Sequence, residues 1–179
     1  MTDPPFVRDL AVTIVIFGVA AFAWFGWAQE APPARWRVAL AAGSGLGLLL
    51  ALVGGLLTWQ HWGPESALAT AEARRTFGIV CGIEFGLAGL GAGLLGFAGR
   101  PQWIATWIAF VVGVHFIPLA FIFGDRGLLG LAALMVVAAG LSVVVHRRTG
   151  ITPSALAGPG TGAALLIYAV RATALVTVF

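Results

Sequence analysis

Two charged side chains and one imidazole interrupt long apolar runs in this chain: Glu84, Arg171 and His115. Carboxylates, imidazoles and guanidinium groups are the side chains that move protons, hold anions or fix one another as ion pairs. Inside a hydrocarbon solvent they are costly, so they face a partner or water and mark a site by default. Glu84 is the candidate proton acceptor. His115 is its candidate exchange partner, because imidazole titrates near neutral pH. Tyr168 stands three residues before Arg171, on the same helix face. Pro118 follows His115 by three residues, leaves the carbonyl of Val114 without its helical donor and predicts a kink beside the site. At a rise of about 1.5 Å per residue, Glu84 and Arg171 lie about 10 Å from the side that holds both termini, and His115 about 14 Å. The trio therefore falls at one level on separate helices. The plain alternatives are a Glu84–Arg171 ion pair that fixes helix register, and an Arg171 that snorkels to the headgroups. Asp125 and Arg126 read as loop charges near the surface, and His61 and His146 as loop residues without a role.

The elements that carry these residues follow from composition. Of the 179 residues 60 % are hydrophobic and only 9 % charged. A soluble domain of this size has too much surface to hide that apolar excess, so lipid is part of the solvent. A spanning helix needs about 20 apolar residues, and six such helices use roughly two thirds of the chain. The expected class is an all-α integral membrane bundle in a single transmembrane domain. Its predicted spans are 10–28, 38–59, 77–98, 102–124, 127–145 and 155–178. Pro32 and Pro33 break the first turn, Gly63-Pro64 marks the longest loop, and only Asp125 and Arg126 separate the fourth span from the fifth. Gly158-Pro159-Gly160 predicts a late start or a kink in the sixth span. Residues 10–28 read as a retained span, because Trp24 and Trp27 stand where a signal peptidase would need small residues. The tryptophans collect near the predicted span ends, where indole prefers the headgroup region. The basic residues are all arginine, scattered between apolar runs, which excludes a nucleic-acid stripe despite the net charge of +3. They also fall almost evenly on both sides, so they do not orient the chain strongly.

The third span has two faces. Gly78, Gly82, Gly86, Gly89 and Gly93 recur at spacings of three and four, with Gly96 after them. Small residues at this spacing let helices approach closely in lipid, where apolar surface alone gives them no reason to associate. Gly43, Gly47, Gly54 and Gly55 repeat the pattern more weakly in the second span. Glu84 lies about 160° around the helix from Gly82 and Gly86. A helix with needs on both faces is expected to be central, with its glycines packed inside the bundle. Cys81, the single cysteine, reads as a small buried apolar residue.

The fourth span reads Val112-Gly113-Val114-His115-Phe116-Ile117-Pro118-Leu119-Ala120. This resembles a G-x-H-F-x-P-L-A signature of an uncharacterised family of small bacterial polytopic membrane proteins, in which a helix bearing a glutamate precedes the signature. The resemblance covers about a quarter of the chain. It implies that Glu84 and His115 belong together, and it supplies no reaction. The favoured function is a proton-linked small-molecule or ion transporter or channel in the cell membrane. One alternative is a membrane-embedded pocket, ligand-binding or enzymatic, for a lipid-like molecule, with Glu84 and His115 as acid and base and Arg171 on an anionic headgroup. The other is a structural or accessory subunit. No nucleophile stands beside a base, so catalysis is disfavoured. One His and one Glu are too few ligands for a closed zinc site, and C-x-x-C-H is absent, so neither metal nor other cofactor is expected. The expected partner is the lipid bilayer, with a small molecule, ion or lipid as ligand; nucleic acid is excluded, and oligomeric state is left open.

Overall fold

The computed structural model describes residues 6–178. Among these, the chain is all helical, with six helices long and apolar enough to cross a membrane. They are α1 (Val7–Trp27), α2 (Arg37–Gln60), α3 (Ala71–Phe97), α4 (Ile104–Ile122), α5 (Gly127–Thr149) and α6 (Pro153–Val176). The chain is a multi-pass membrane protein. Short 3-10 turns at Ala34–Trp36 and Pro101–Trp103 lead into α2 and α4.

Helix ends follow capping chemistry more than hydropathy. α3 begins six residues before its apolar run, because Thr70 caps it by accepting the Ala73 N–H at 3.1 Å and Glu72 stands in the first turn. The hairpin between α4 and α5 closes through Gly124 at φ +64°, a conformation that favours glycine. α6 starts earlier than the Gly-Pro-Gly segment suggested. Pro153 occupies its first turn, where a missing N–H costs nothing, and the helix runs on through Pro159. Gly158 and Gly160 serve as contact points instead. A Cβ on Gly158 would lie 2.7 Å from the Trp24 carbonyl of α1, and one on Gly160 2.7 Å from Ala138 of α5.

α6 is the central element, packed on α1, α2, α4 and α5, and it carries the largest share of buried residues. α1 and α2 form a close pair. Added Cβ atoms on Gly18, Gly47 and Gly54 would each lie 2.6–2.8 Å from backbone atoms of the facing helix. Gly43 accepts the Phe25 ring, while Gly55 faces open space. The loop after α2 is tied back to the start of α1: the Asp9 carboxylate accepts from Ala67 N–H at 2.7 Å and Ser66 Oγ at 3.1 Å, and Arg8 donates to the Gly63 carbonyl at 2.6 Å.

The expectation of a central α3 is overturned. α3 contributes no fully buried residue and lies at the edge, against α4 alone to any extent. Its glycine face is open: Gly78, Gly82, Gly86, Gly89 and Gly93 have nothing within 4 Å of an added Cβ. The physical reason is a competition between the two faces. An edge helix has one neighbour to offer, and a carboxylate in lipid costs far more than exposed glycine, so the Glu84 face takes it. Close approach to α4 uses Gly91 instead, over which the Trp107 indole lies while its Nε1–H donates to the Leu87 carbonyl at 3.0 Å.

Candidate functional site

The half-buried face of α3 repeats at helical spacing through Val80, Cys81, Glu84, Ala88 and Gly91. Glu84 is midway along α3, about 20 Å from either end. Opposite it, α4 presents His115, whose Nδ1 lies 3.2 Å from Glu84 Oε2. Both side chains are largely enclosed, with 9 % of His115 and 13 % of Glu84 exposed. The approach is close in distance but lacks hydrogen-bond geometry, so Nδ1 is a buried polar atom without a hydrogen-bond partner among the described residues. The imidazole is thus held by its contact with the Glu84 carboxylate rather than by a directed hydrogen bond. Cys81 stands one turn before Glu84, and its Sγ, a Glu84 carboxylate oxygen and a His115 ring nitrogen all lie within 4.8 Å of one another. Cys81, which reads from the sequence as a small buried apolar residue, is half-buried here. Its spacing of three from Glu84 was the signal that joins them.

Arg171 belongs to a second cluster. It lies about 7 Å from the end of α6, and 42 % of its side chain is exposed. The Asp125 carboxylate receives it in a two-pronged pair, NH1 to Oδ2 at 2.8 Å and NH2 to Oδ1 at 3.1 Å. The Tyr168 hydroxyl donates to the same carboxylate, and so does the Gly127 N–H at 2.8 Å. A Cβ at Gly127 would meet the guanidinium carbon at 2.8 Å, so a side chain there would push Arg171 out of its present pairing. Asp125 was read as a bare loop charge; it is instead the acceptor that organises this end of the bundle. A Tyr and an Arg at i, i+3 near a helix end needed an acidic acceptor on that surface, and Asp125 is the acid in the facing turn. No Glu84–Arg171 ion pair forms among the described residues, so the trio divides into a mid-helix pair and an anchor near the helix ends. Phe17 packs edge-on against both Phe116 and Tyr168, with ring centroids 5.3 and 5.2 Å away, and so places aromatic rings between the two clusters.

Pro118 lies inside α4, one turn beyond His115, and the helix continues to Ile122. His61 follows α2 and its Nδ1 pairs with the Leu57 carbonyl, whereas His146, expected in a loop, lies in the last turn of α5, which runs on past the apolar span, and its Nδ1 pairs with the Ile151 carbonyl.

The anchor has a pH dependence with a definite sign. Burial raises the Asp125 pKa, but hydrogen bonds from Arg171, Tyr168 and the Gly127 N–H outweigh it and hold the carboxyl below the 3.8 of an unperturbed aspartate. A lowered folded-state value stabilises the fold above the unfolded pKa, and that contribution disappears as pH falls through the folded value. Asp125→Asn should therefore lower stability at pH 7 by about 1 kcal/mol, a figure kept small because Arg171 is solvent-screened. It should also flatten the acid limb below about pH 4. Unfolding midpoints of both proteins between pH 7 and 3 check this. A variant as stable as the parent at pH 7 and equally acid-labile would show that the anchor contributes nothing.

Family models, curated proteins and solved structures offer no match to this chain.

Proposed function

We propose that the chain is a proton-linked transporter or channel for a small molecule or ion in the cell membrane, with Glu84 and His115 as its intramembrane exchange pair. The observation that carries this reading is the 3.2 Å approach of a carboxylate and an imidazole across the α3–α4 seam at mid-helix depth, away from the arginine anchor. Carboxylate and histidine chains inside membrane helices are the usual material of proton relays. The support is also mechanical. α3 is held along one edge and carries the carboxylate, so a small displacement of a single helix would open or close the pair.

The lipid-pocket alternative required Arg171 beside Glu84 and His115 to hold an anionic headgroup. Arg171 is instead engaged by Asp125 and Tyr168, which favours the pathway reading. The structural-subunit alternative fits the Asp125 anchor, with its directed hydrogen bonds, better than the seam, where His115 and Glu84 meet without one.

The test is reconstitution into vesicles that enclose a pH-sensitive dye, with a proton gradient imposed against monovalent and divalent cations in turn. Protein-dependent proton movement that follows one cation is expected. Vesicles as proton-tight with the protein as without it, across the whole panel, would overturn the reading.

A further inference from the structure

We infer that Cys81, Glu84 and His115 form a binding site for one divalent transition-metal ion of the zinc class. The inference rests on the proposed pathway in so far as it makes this ion the cargo; the binding itself stands on the geometry.

The geometry comes first. Two donors come from one face of α3 at i, i+3, and the third crosses the seam from α4. All three donor atoms fall within 4.8 Å of one another. In a tetrahedral zinc site with Zn–S near 2.3 Å and Zn–N or Zn–O near 2.0–2.1 Å, donor atoms stand about 3.3–3.6 Å apart. Glu84 Oε2 and His115 Nδ1 are already at 3.2 Å, so the cysteine rotamer and a small settling of α3 complete the set.

The second observation is independent of the cluster count. The His115 side chain is nine-tenths buried, and its Nδ1, though 3.2 Å from the Glu84 carboxylate, makes no directed hydrogen bond among the described residues. A metal ion would satisfy that nitrogen.

Ligand chemistry then selects the ion. Thiolate and imidazole suit zinc and its neighbours, whereas magnesium and calcium want oxygen alone. Three protein ligands leave a fourth position open, the arrangement of exchangeable sites rather than closed structural ones. Charge also closes. A thiolate and a carboxylate cancel a divalent cation, which matters where an unbalanced charge in lipid is costly. Filling the site releases the thiol proton to water, together with any proton held between Glu84 and His115. Metal entry and proton exit are thereby linked in the sense that the pathway needs.

The experiment uses the purified full chain in detergent or nanodiscs under a phosphine reductant, with Co²⁺ as the probe. Cys81 is the chain's single cysteine, so a thiolate-to-cobalt charge-transfer band reports this site alone. The expected result is that band, saturating at one Co²⁺ per chain and displaced by Zn²⁺. It should vanish in Cys81→Ser, and apparent affinity should fall about tenfold or more in His115→Ala and Glu84→Ala. Helical circular dichroism identifies the variants that fold. A folded parent without the band overturns the inference. So does a band indifferent to both His115→Ala and Glu84→Ala, which would report a bare thiol. The two readings fail separately: a band without proton-linked flux in vesicles removes the transport reading and keeps the site, and flux without a band keeps the pathway and removes the metal.

Discussion

If the chain is the proposed proton-linked pathway, Glu84→Gln is expected to lower its flux in reconstituted vesicles by about 10²-fold or more and to leave six folded helices. The amide has the shape and hydrogen-bonding size of the carboxylate but neither takes up nor releases a proton near neutral pH. The position tolerates the change because α3 is an edge helix that meets the bundle along one face. No cavity opens and no core residue moves. Stability of the variant should equal or slightly exceed that of the parent, since a charge that lipid disfavours has been removed. Paired measurements decide the matter: flux per folded chain, and the unfolding midpoint in the same detergent. Intact flux would take Glu84 out of the exchange pair. A midpoint that falls by several degrees while flux per folded chain is unchanged would identify the seam as structural.

Most of the architecture was legible because lipid imposes a simple rule. A chain with so few charges and apolar runs of the right length has to form spanning helices, and their number and approximate limits follow. Helix ends were less legible where polar residues cap beyond the membrane, as Thr70 does for α3. Which helix covers a given glycine face was not legible. Gly43, Gly47 and Gly54 in α2 and the stripe in α3 carry the same signal, yet the first set packs against α1 and the second faces outward. Spacing states that a face permits close approach; it does not name the helix that approaches. The same limit split the polar trio. A common depth correctly brought Glu84 to His115, but depth counted from a predicted span end put Arg171 at their level. Its exposed guanidinium and its Asp125 partner place it nearer the surface. Asp125 was hidden by its position in a turn, and Cys81 by its resemblance to any small apolar residue until Glu84 and His115 were placed around it.

The contrast between the two glycine stripes gives the largest expected effect on stability. Gly18→Ala and Gly47→Ala each add one methyl where the facing chain is backbone: the new carbon would lie 2.6 Å from Ala51 N in the first case and 2.7 Å from Phe22 N in the second. A side chain can swing away from such a contact, but helix backbone cannot. α1 and α2 must therefore separate, and the loss spreads to their other contacts, including the Phe25 ring over Gly43 and the Ser44 hydroxyl bonded at 3.3 Å to the Phe22 carbonyl. Each substitution should cost about 2–3 kcal/mol, even though alanine is the better helix former by up to about 1 kcal/mol. Gly82→Ala and Gly86→Ala meet nothing, so only the propensity gain remains and those variants should match or exceed the parent. Unfolding midpoints of the four variants at one pH and detergent concentration test both signs at once. Loss of stability confined to Gly18 and Gly47 confirms the α1–α2 seam as the tight contact in lipid. A comparable loss at Gly82 or Gly86 would mean that the outer face of α3 is covered in the native assembly. α3 would then be held from both sides, and the hinge-like freedom assigned to the Glu84 helix would have to be given up.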